Sequence, residues 1–338
     1  GRYDQNSIAV LFFLKLSMPN YKLIDYPHSV PLREYDDELS HMAEWLLQFP
    51  QVSSVYQVGS VGAPGISDLD LVVVFQDEQK LAIQPLNSLS RSGKYLFIHN
   101  LYGCSRKQFE KSQRFSFFGT FKLLAGERFS EQAIVSNLSD TLKIQVALEF
   151  LLKMYVNLIL QSAYKTLKVR SLLLHVKGLL FDLEFLGVKS GRLVESIQDC
   201  MDIRKKWFDK ASSAADLIKW FENFMPLLHS FLQEQLKQHT LFVSPSSSLR
   251  LAKNIQLKQS LTLDYKRIGI SLPLGAYIFG EKIHKVLNKF NRFQIHCPYS
   301  LKDLPPDIEE YFTFIDTCRN YNQSFIPHFY TLSSSLHI

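Results

Sequence analysis

Tyr56-Gln57-Val58-Gly59-Ser60 and the later stretch Ser67-Asp68-Leu69-Asp70-Leu71-Val72-Val73-Val74-Phe75 decide how this chain is read. An apolar strand ends on Gly-Ser, and a second apolar strand opens on two aspartates spaced i, i+2. Side chains in a strand alternate faces, so Asp68 and Asp70 point one way while Leu69, Leu71 and Val73 point the other, into a core. Two carboxylates on one face can share a hard divalent cation such as Mg²⁺ (or Mn²⁺), which takes oxygen ligands and commonly the phosphate oxygens of a substrate as well. Gly59 lets a phosphate approach the backbone closely, and exposed N–H groups with the Ser60 hydroxyl can hold it.

This pattern resembles the nucleotidyltransferase superfamily, the fold shared with DNA polymerase β. Its signature is an apolar residue, Gly-Ser or Gly-Gly, a spacer, then Asp-apolar-Asp-apolar. Val58-Gly59-Ser60 and Asp68-Leu69-Asp70-Leu71 match it, and the likeness covers roughly residues 35 to 125. The resemblance implies that Gly59 and Ser60 hold the triphosphate of a nucleoside triphosphate and that Asp68 and Asp70 bind catalytic Mg²⁺. Two features depart from the family. The spacer between Ser60 and Asp68 has seven residues, shorter than usual, and Gly62, Pro64 and Gly65 favour a turn in place of the customary short helix. The family also places a third carboxylate on a neighbouring strand to activate the attacking hydroxyl. Here the next strand candidate, Lys94 to Asn100, offers His99 and Asn100. An amide cannot take a proton at neutral pH, whereas an imidazole can. Glu149 is a remote alternative.

The fold class expected is α+β, with a small mixed-sheet nucleotidyltransferase core followed by a mostly α-helical C-terminal region. The divisions expected are a leader over 1–20, the nucleotidyltransferase-like domain over 21–130, a helical domain over 131–240, and a linker with a helical extension over 241–338. With 338 residues, 46% of them hydrophobic, the chain can bury full cores, which excludes a disordered protein. Ile8 to Leu16 is an apolar run far shorter than the roughly 20 residues of a spanning helix, and no small-x-small cleavage site follows it. The chain begins with Gly, and Met18 is the expected biological start.

Leu32 to Leu47 carries Leu39, Met42, Ala43 and Leu46 at helical spacing, with Pro50 beyond its end. Strands are expected at about 52–59, 69–76 and 94–101. In the aromatic-rich stretch from Phe109 to Phe121, Phe115, Phe117, Phe118 and Phe121 line a pocket or fill core, and core filling is the expected role. Leu142 to Leu160 is apolar nearly all round, so it reads as a buried helix, and Lys143, Glu149 and Lys153 argue against a membrane span. A second helix is expected from Ala163 to Leu186, stopping at Gly187. Its polar stripes hold Lys168, His175 and Asp182 on one line and Arg170, Lys177 and Glu184 on another. Ordinary solvated flanks are one reading of these stripes; the other is that Lys168, Arg170, His175 or Lys177 faces the cleft and binds phosphate or the acceptor, with Lys168 and Arg170 the candidates for the nucleotide. Ala215 to Leu232 is a further helix with Trp220, Phe221 and Phe224 on its apolar side. Thr240 to Ser248 reads as a linker, Glu281 to Phe290 as a basic amphipathic helix, and Pro305-Pro306 breaks the chain before a helix near Ile308 to Cys318.

Four widely spaced cysteines, Cys104, Cys200, Cys297 and Cys318, form no Cys-x-x-Cys pair, which argues for reduced thiols in a cytoplasmic protein. The net charge of +6 permits a phosphate-rich partner. Without a strong basic stripe, a small-molecule or protein acceptor is favoured over long nucleic acid. The expected function is therefore metal-dependent transfer of a nucleoside monophosphate from a nucleoside triphosphate to a hydroxyl acceptor. The alternative is a catalytically impaired protein of this fold that serves as a nucleotide-binding or protein-interaction module. Two surface acids beside an ordinary turn are the remaining reading.

Overall fold

Valine, leucine and tyrosine crowd residues 52–58 and 70–75, and both runs are buried on two faces in the computed structural model, which describes residues 21–112, 115, 121–129, 138–209, 214–252, 254–268 and 292–332. The expected leader, Phe117, Phe118 and the basic helix at 281–290 lie outside the described residues.

The chain enters through β1 (Lys22–Ile24) and α1 (Leu32–Leu47). Tyr35, Leu39, Met42, Ala43 and Leu46 make the buried stripe of α1, at the spacing that keeps one helix face inward. Strand β2 (Val52–Val58) pairs antiparallel with β3 (Asp70–Phe75), with Val58 opposite Asp70. Residues 91–96 then form a helix, α2 (Arg91–Leu96), followed by β4 (Tyr102–Ser105), α3 (Arg106–Ser112) and β5 (Phe121–Gly126). With β11 (Tyr330–Thr331), these strands form a mixed five-stranded sheet in the order β11-β4-β3-β2-β5. Val55, Leu71, Val73 and Phe75 pack with Leu39, Met42 and Leu46 on one face. Tyr56, Val72, Val74 and Phe109 pack together on the other. Burial on both sides is why β3 reads as a continuous apolar run.

The strand expected at 94–101 is corrected. Ser90 caps α2 by accepting the Gly93 N–H at 2.9 Å, and a capped turn takes Lys94 to Leu96 out of extended backbone. The third strand starts at Tyr102, so His99 and Asn100 lie in the loop that feeds it.

A helical region follows. Ser139 caps α4 (Asp140–Ala163) through the Leu142 N–H. By length and composition α4 passes as a membrane span, the one such helix among the described residues, yet 72% of its most apolar window is buried inside the protein. The single helix expected from Ala163 to Leu186 is corrected to β6 (Thr166–Lys168), α5 (Val169–His175), a 3₁₀ turn over Val176–Gly178 and α6 (Leu179–Phe185). Lys165 turns left-handed at φ 51°, and β6 then pairs parallel with β1. Gly187, at φ +72°, ends α6 as expected. Helix α7 (Arg192–Lys206) and helix α8 (Ala214–Gln238) complete the region, with Trp220, Phe221 and Phe224 buried.

Past the linker, the expected helical extension is corrected in part. β7 (Arg250–Ala252), β8 (Ile255–Gln259), β9 (Asp264–Arg267) and β10 (Phe293–Cys297) form a second sheet in the order β7-β8-β10-β9. Its inward residues Ile255, Leu257, Phe293, Ile295 and Cys297 recur with period two, the strand repeat. Helix α9 (Pro306–Phe325) begins at the proline pair, with Pro306 where a missing N–H costs nothing. The architecture is thus α+β, and β11 brings the chain back to the first sheet.

Candidate metal centre

Strand β2 ends at Gly59, whose φ of +71° suits glycine and whose missing Cβ faces open space. Ser60 is exposed beside it. The seven-residue spacer is a turn, as its glycines and proline imply: the Ala63 carbonyl accepts the N–H groups of Ile66 (3.0 Å) and Ser67 (2.8 Å). Asp68 follows, Leu69 is buried in the core, and Asp70 opens β3. The alternation holds across these residues, so both carboxylates emerge on one side.

His99 completes the group. Carboxylate oxygens of Asp68 and Asp70 and a ring nitrogen of His99 all lie within 4.8 Å of one another, and the set can hold a metal ion. Nε2 of His99 is 2.9 Å from Oδ1 of Asp70, and Nδ1 is 2.8 Å from the Asn100 carbonyl oxygen. Asn100 turns its own amide oxygen to Gln84 Nε2 at 3.4 Å. Hence the imidazole, and not the Asn100 amide, stands by the acids. The rings of Tyr102, edge-on at 5.4 Å, and Tyr330, stacked at 5.6 Å, enclose His99.

The Asp68 carboxyl is pushed up to about 6. Burial is the main cause and the Asp70 charge the next, with His99, a backbone N–H and Arg170 pulling it back. His99 is lowered by burial, but the contact with Asp70, its charge, the Asn100 carbonyl and Asp68 together carry it above the ordinary imidazole value. The Asp70 oxygen nearest His99 is itself buried and receives no well-directed hydrogen bond, although the imidazole is close enough for charge attraction. A buried, underused carboxylate oxygen beside a second carboxylate and an imidazole fits a cation ligand set.

Both groups hold protons more tightly in the fold than when unfolded, so their stabilising protonation is complete at low pH. It is lost for Asp68 as pH rises from about 3.8 to about 6, and for His99 above 6.5. The metal-free protein is therefore expected to melt lower at pH 8 than at pH 5, with a smaller drop in Asp68→Asn. Mg²⁺ should raise the melting temperature more at pH 8, because metal and protons compete for the ligands. Equal pH slopes for wild type and Asp68→Asn in thermal denaturation would contradict this assignment.

The structure treats the other expected residues unequally. Arg170 is 4% exposed, and its guanidinium donates to the carbonyls of Ile66 (3.2 Å), Tyr95 (2.5 Å) and Ser67 (3.1 Å) while lying 3.8 Å over the Tyr95 ring. It buttresses the turn before Asp68, which differs from the phosphate contact expected of it. Lys168 lies in β6 opposite Ile24, its N–H donated to Gln161 Oε1. Lys177 reaches the Gly62 turn, with Nζ 4.0 Å from where a Cβ would sit. His175 shows surface to solvent but is crowded, so desolvation lowers its pKa, and it feels the charges of Lys153, His99 and Asp70. Glu149 is buried elsewhere, accepting from Gln145 (2.7 Å) and Tyr311 (3.0 Å).

Sequence reading missed Arg204. On α7, Leu193, Ile197, Cys200 and Arg204 follow one another at steps of three and four and are all buried. An arginine at an apolar-stripe position was the available signal. The chain matches no protein-family model, and no curated protein matches its sequence.

Proposed function

We propose that this protein is a metal-dependent nucleotidyltransferase. The observation that carries the reading is the convergence of Asp68, Asp70 and His99 near the left-handed Gly59 that ends β2, whose Val58 lies opposite Asp70 of β3. Asp68 and Asp70 would hold Mg²⁺ or Mn²⁺. When bound, such a cation supplies electrostatic stabilisation of the phosphate charges. The Gly59 backbone and the Ser60 hydroxyl orient the triphosphate. His99 takes the role of proton acceptor that the resemblance gives to a third carboxylate, accepting the proton of the incoming hydroxyl. A bond forms from that oxygen to the α-phosphorus, the bond to the bridging oxygen breaks, and pyrophosphate leaves.

The acceptor is a small molecule or protein in this proposal, since the modest positive charge forms no nucleic-acid stripe in the sequence. Four free, buried cysteines suit the reducing cytoplasm. A second reading, nucleotide binding without turnover, draws on the imidazole standing in place of a carboxylate.

Calorimetric titration of ATP, CTP, GTP and UTP with Mg²⁺, followed by assays for pyrophosphate release, separates these readings. Metal-dependent binding with pyrophosphate release supports the enzyme, and binding without release under any acceptor supports the module. Failure of every nucleotide to bind would reject both.

A further inference from the structure

Ser67, the residue before Asp68, is held from the helical region by two buried arginines. It is 3% exposed, and Arg170 and Arg204 are 4% and 6% exposed. The Ser67 carbonyl accepts from Arg170 Nη2 at 3.1 Å and from the Tyr35 hydroxyl at 2.8 Å. Its side-chain oxygen accepts from Arg204 Nη2 at 3.2 Å and from the Ala63 N–H at 3.0 Å. Arg204 is anchored in turn by donating to the Leu173 carbonyl of α5 at 3.1 Å. On the far side of Asp68, the Leu69 N–H donates to the Leu96 carbonyl at 3.0 Å. Backbone on both flanks of the aspartate is thereby fixed, while its carboxylate is left to point at the cluster.

We propose that Arg170 and Arg204 are positioning residues for Asp68, through which the helical region sets the affinity of the metal centre. The inference rests on the metal reading given above. Among the described residues, the His99 imidazole is the only basic side chain within ion-pair distance of either acid. The two guanidinium charges bear on Asp68 from beyond contact. An arginine bonded directly to Asp68 would consume the oxygens a cation needs. Engaged instead with the neighbouring main chain and the Ser67 hydroxyl, the two guanidinium groups fix the backbone beside Asp68 and leave its ligand atoms available. Burying two guanidinium groups is costly, and five donated bonds to Ile66, Ser67, Tyr95 and Leu173 offset that cost.

The test is Mn²⁺ binding to the full chain, read from the free-ion electron paramagnetic resonance signal, with Tm of the metal-free protein measured alongside. Ser67→Ala removes the hydroxyl, and Arg204→Lys keeps the charge but loses the fork, so any change reports geometry. Arg170→Lys likewise cannot span the Ile66 and Ser67 carbonyls. Each single variant is expected to bind Mn²⁺ about tenfold more weakly at temperatures well below its Tm. The Ser67→Ala/Arg204→Lys double variant should lose clearly less than the product of the two single losses, because the two side chains share one bond. Affinities within about twofold of wild type, with only Tm lowered, overturn the proposal, and so do fully additive losses in the double variant. If Arg204→Lys does not fold, Ser67→Ala decides alone. A wild-type protein that binds no Mn²⁺ overturns the metal reading itself, and the positioning role falls with it.

Discussion

Asp70→Asn is expected to abolish metal binding and, with it, metal-dependent nucleotide binding. The carboxylate is one of the two acids assigned to the cation and sits nearest His99, at 2.9 Å. Losing residues that only support a metal ligand costs about 10–100-fold in affinity, so losing a ligand should cost at least ~100-fold. The amide keeps the shape of the side chain but carries no charge. It removes the like charge that helps push Asp68 upward. Metal-free Asp70→Asn should therefore melt no lower than wild type at pH 8, where the acid pair is most strained. Loss of Mn²⁺ binding with retained or raised Tm marks a site built for a ligand at the expense of stability. Wild-type Mn²⁺ affinity in Asp70→Asn would show that the pair is only surface charge.

Gly65→Ala should be among the most damaging single-methyl changes in the chain. Gly65 has φ +86°, a left-handed conformation that costs an L-residue about 1–2 kcal/mol. The added carbon would overlap the His28 carbonyl oxygen and come within 2.9 Å of Phe208 Cζ. Overpacking adds roughly 1–3 kcal/mol, giving a total on the order of 3 kcal/mol. The His28 oxygen is backbone and cannot simply rotate away. Relief must come from the turn, whose Gly65 N–H donates to Tyr35 and whose Gly65 carbonyl accepts from Tyr95. That movement is passed on to Ser67 and Asp68, so Mn²⁺ affinity should fall together with Tm. Gly59→Ala offers the contrast, because its Cβ would meet nothing within 4 Å and only the backbone conformation resists. A Gly65→Ala protein as stable as Gly59→Ala would refute the steric argument.

Local chemistry explains which parts of this fold were legible in the sequence. Helix α1 could be read because Leu39, Met42, Ala43 and Leu46 lie on one stripe, and Pro50 marked its end. The acid pair could be read because strand alternation is the shortest repeat available, and it forces Asp68 and Asp70 to one side. The segment after Ser90 misled because adjacent apolar residues at Tyr95, Leu96 and Phe97 suit a strand and a short helix equally, and the Ser90 cap decided between them. Lys165 defeated the long helix by a left-handed turn that no periodicity announces. The second sheet was hidden in short strands of three to five residues, although β8 and β10 both alternate. His99 was noticed but its direction was not, because that depends on a loop closed by strands distant in sequence. Arg204 went unnoticed because its role exists only once α7 packs against the turn before Asp68.

Tyr330 reaches the ring of His99 from the strand that completes the first sheet, beside β4. A ribosome lengthening the chain at about 5–20 residues per second needs on the order of ten seconds or more to travel from one to the other. Through that interval β4 is an open sheet edge, able to pair with another chain. The pairing that closes it joins Tyr102 to Tyr330, far apart in sequence, which favours slow assembly of this corner of the protein. The two acids can be in place early, but the aromatic wall around the imidazole must wait until Tyr330 has been made.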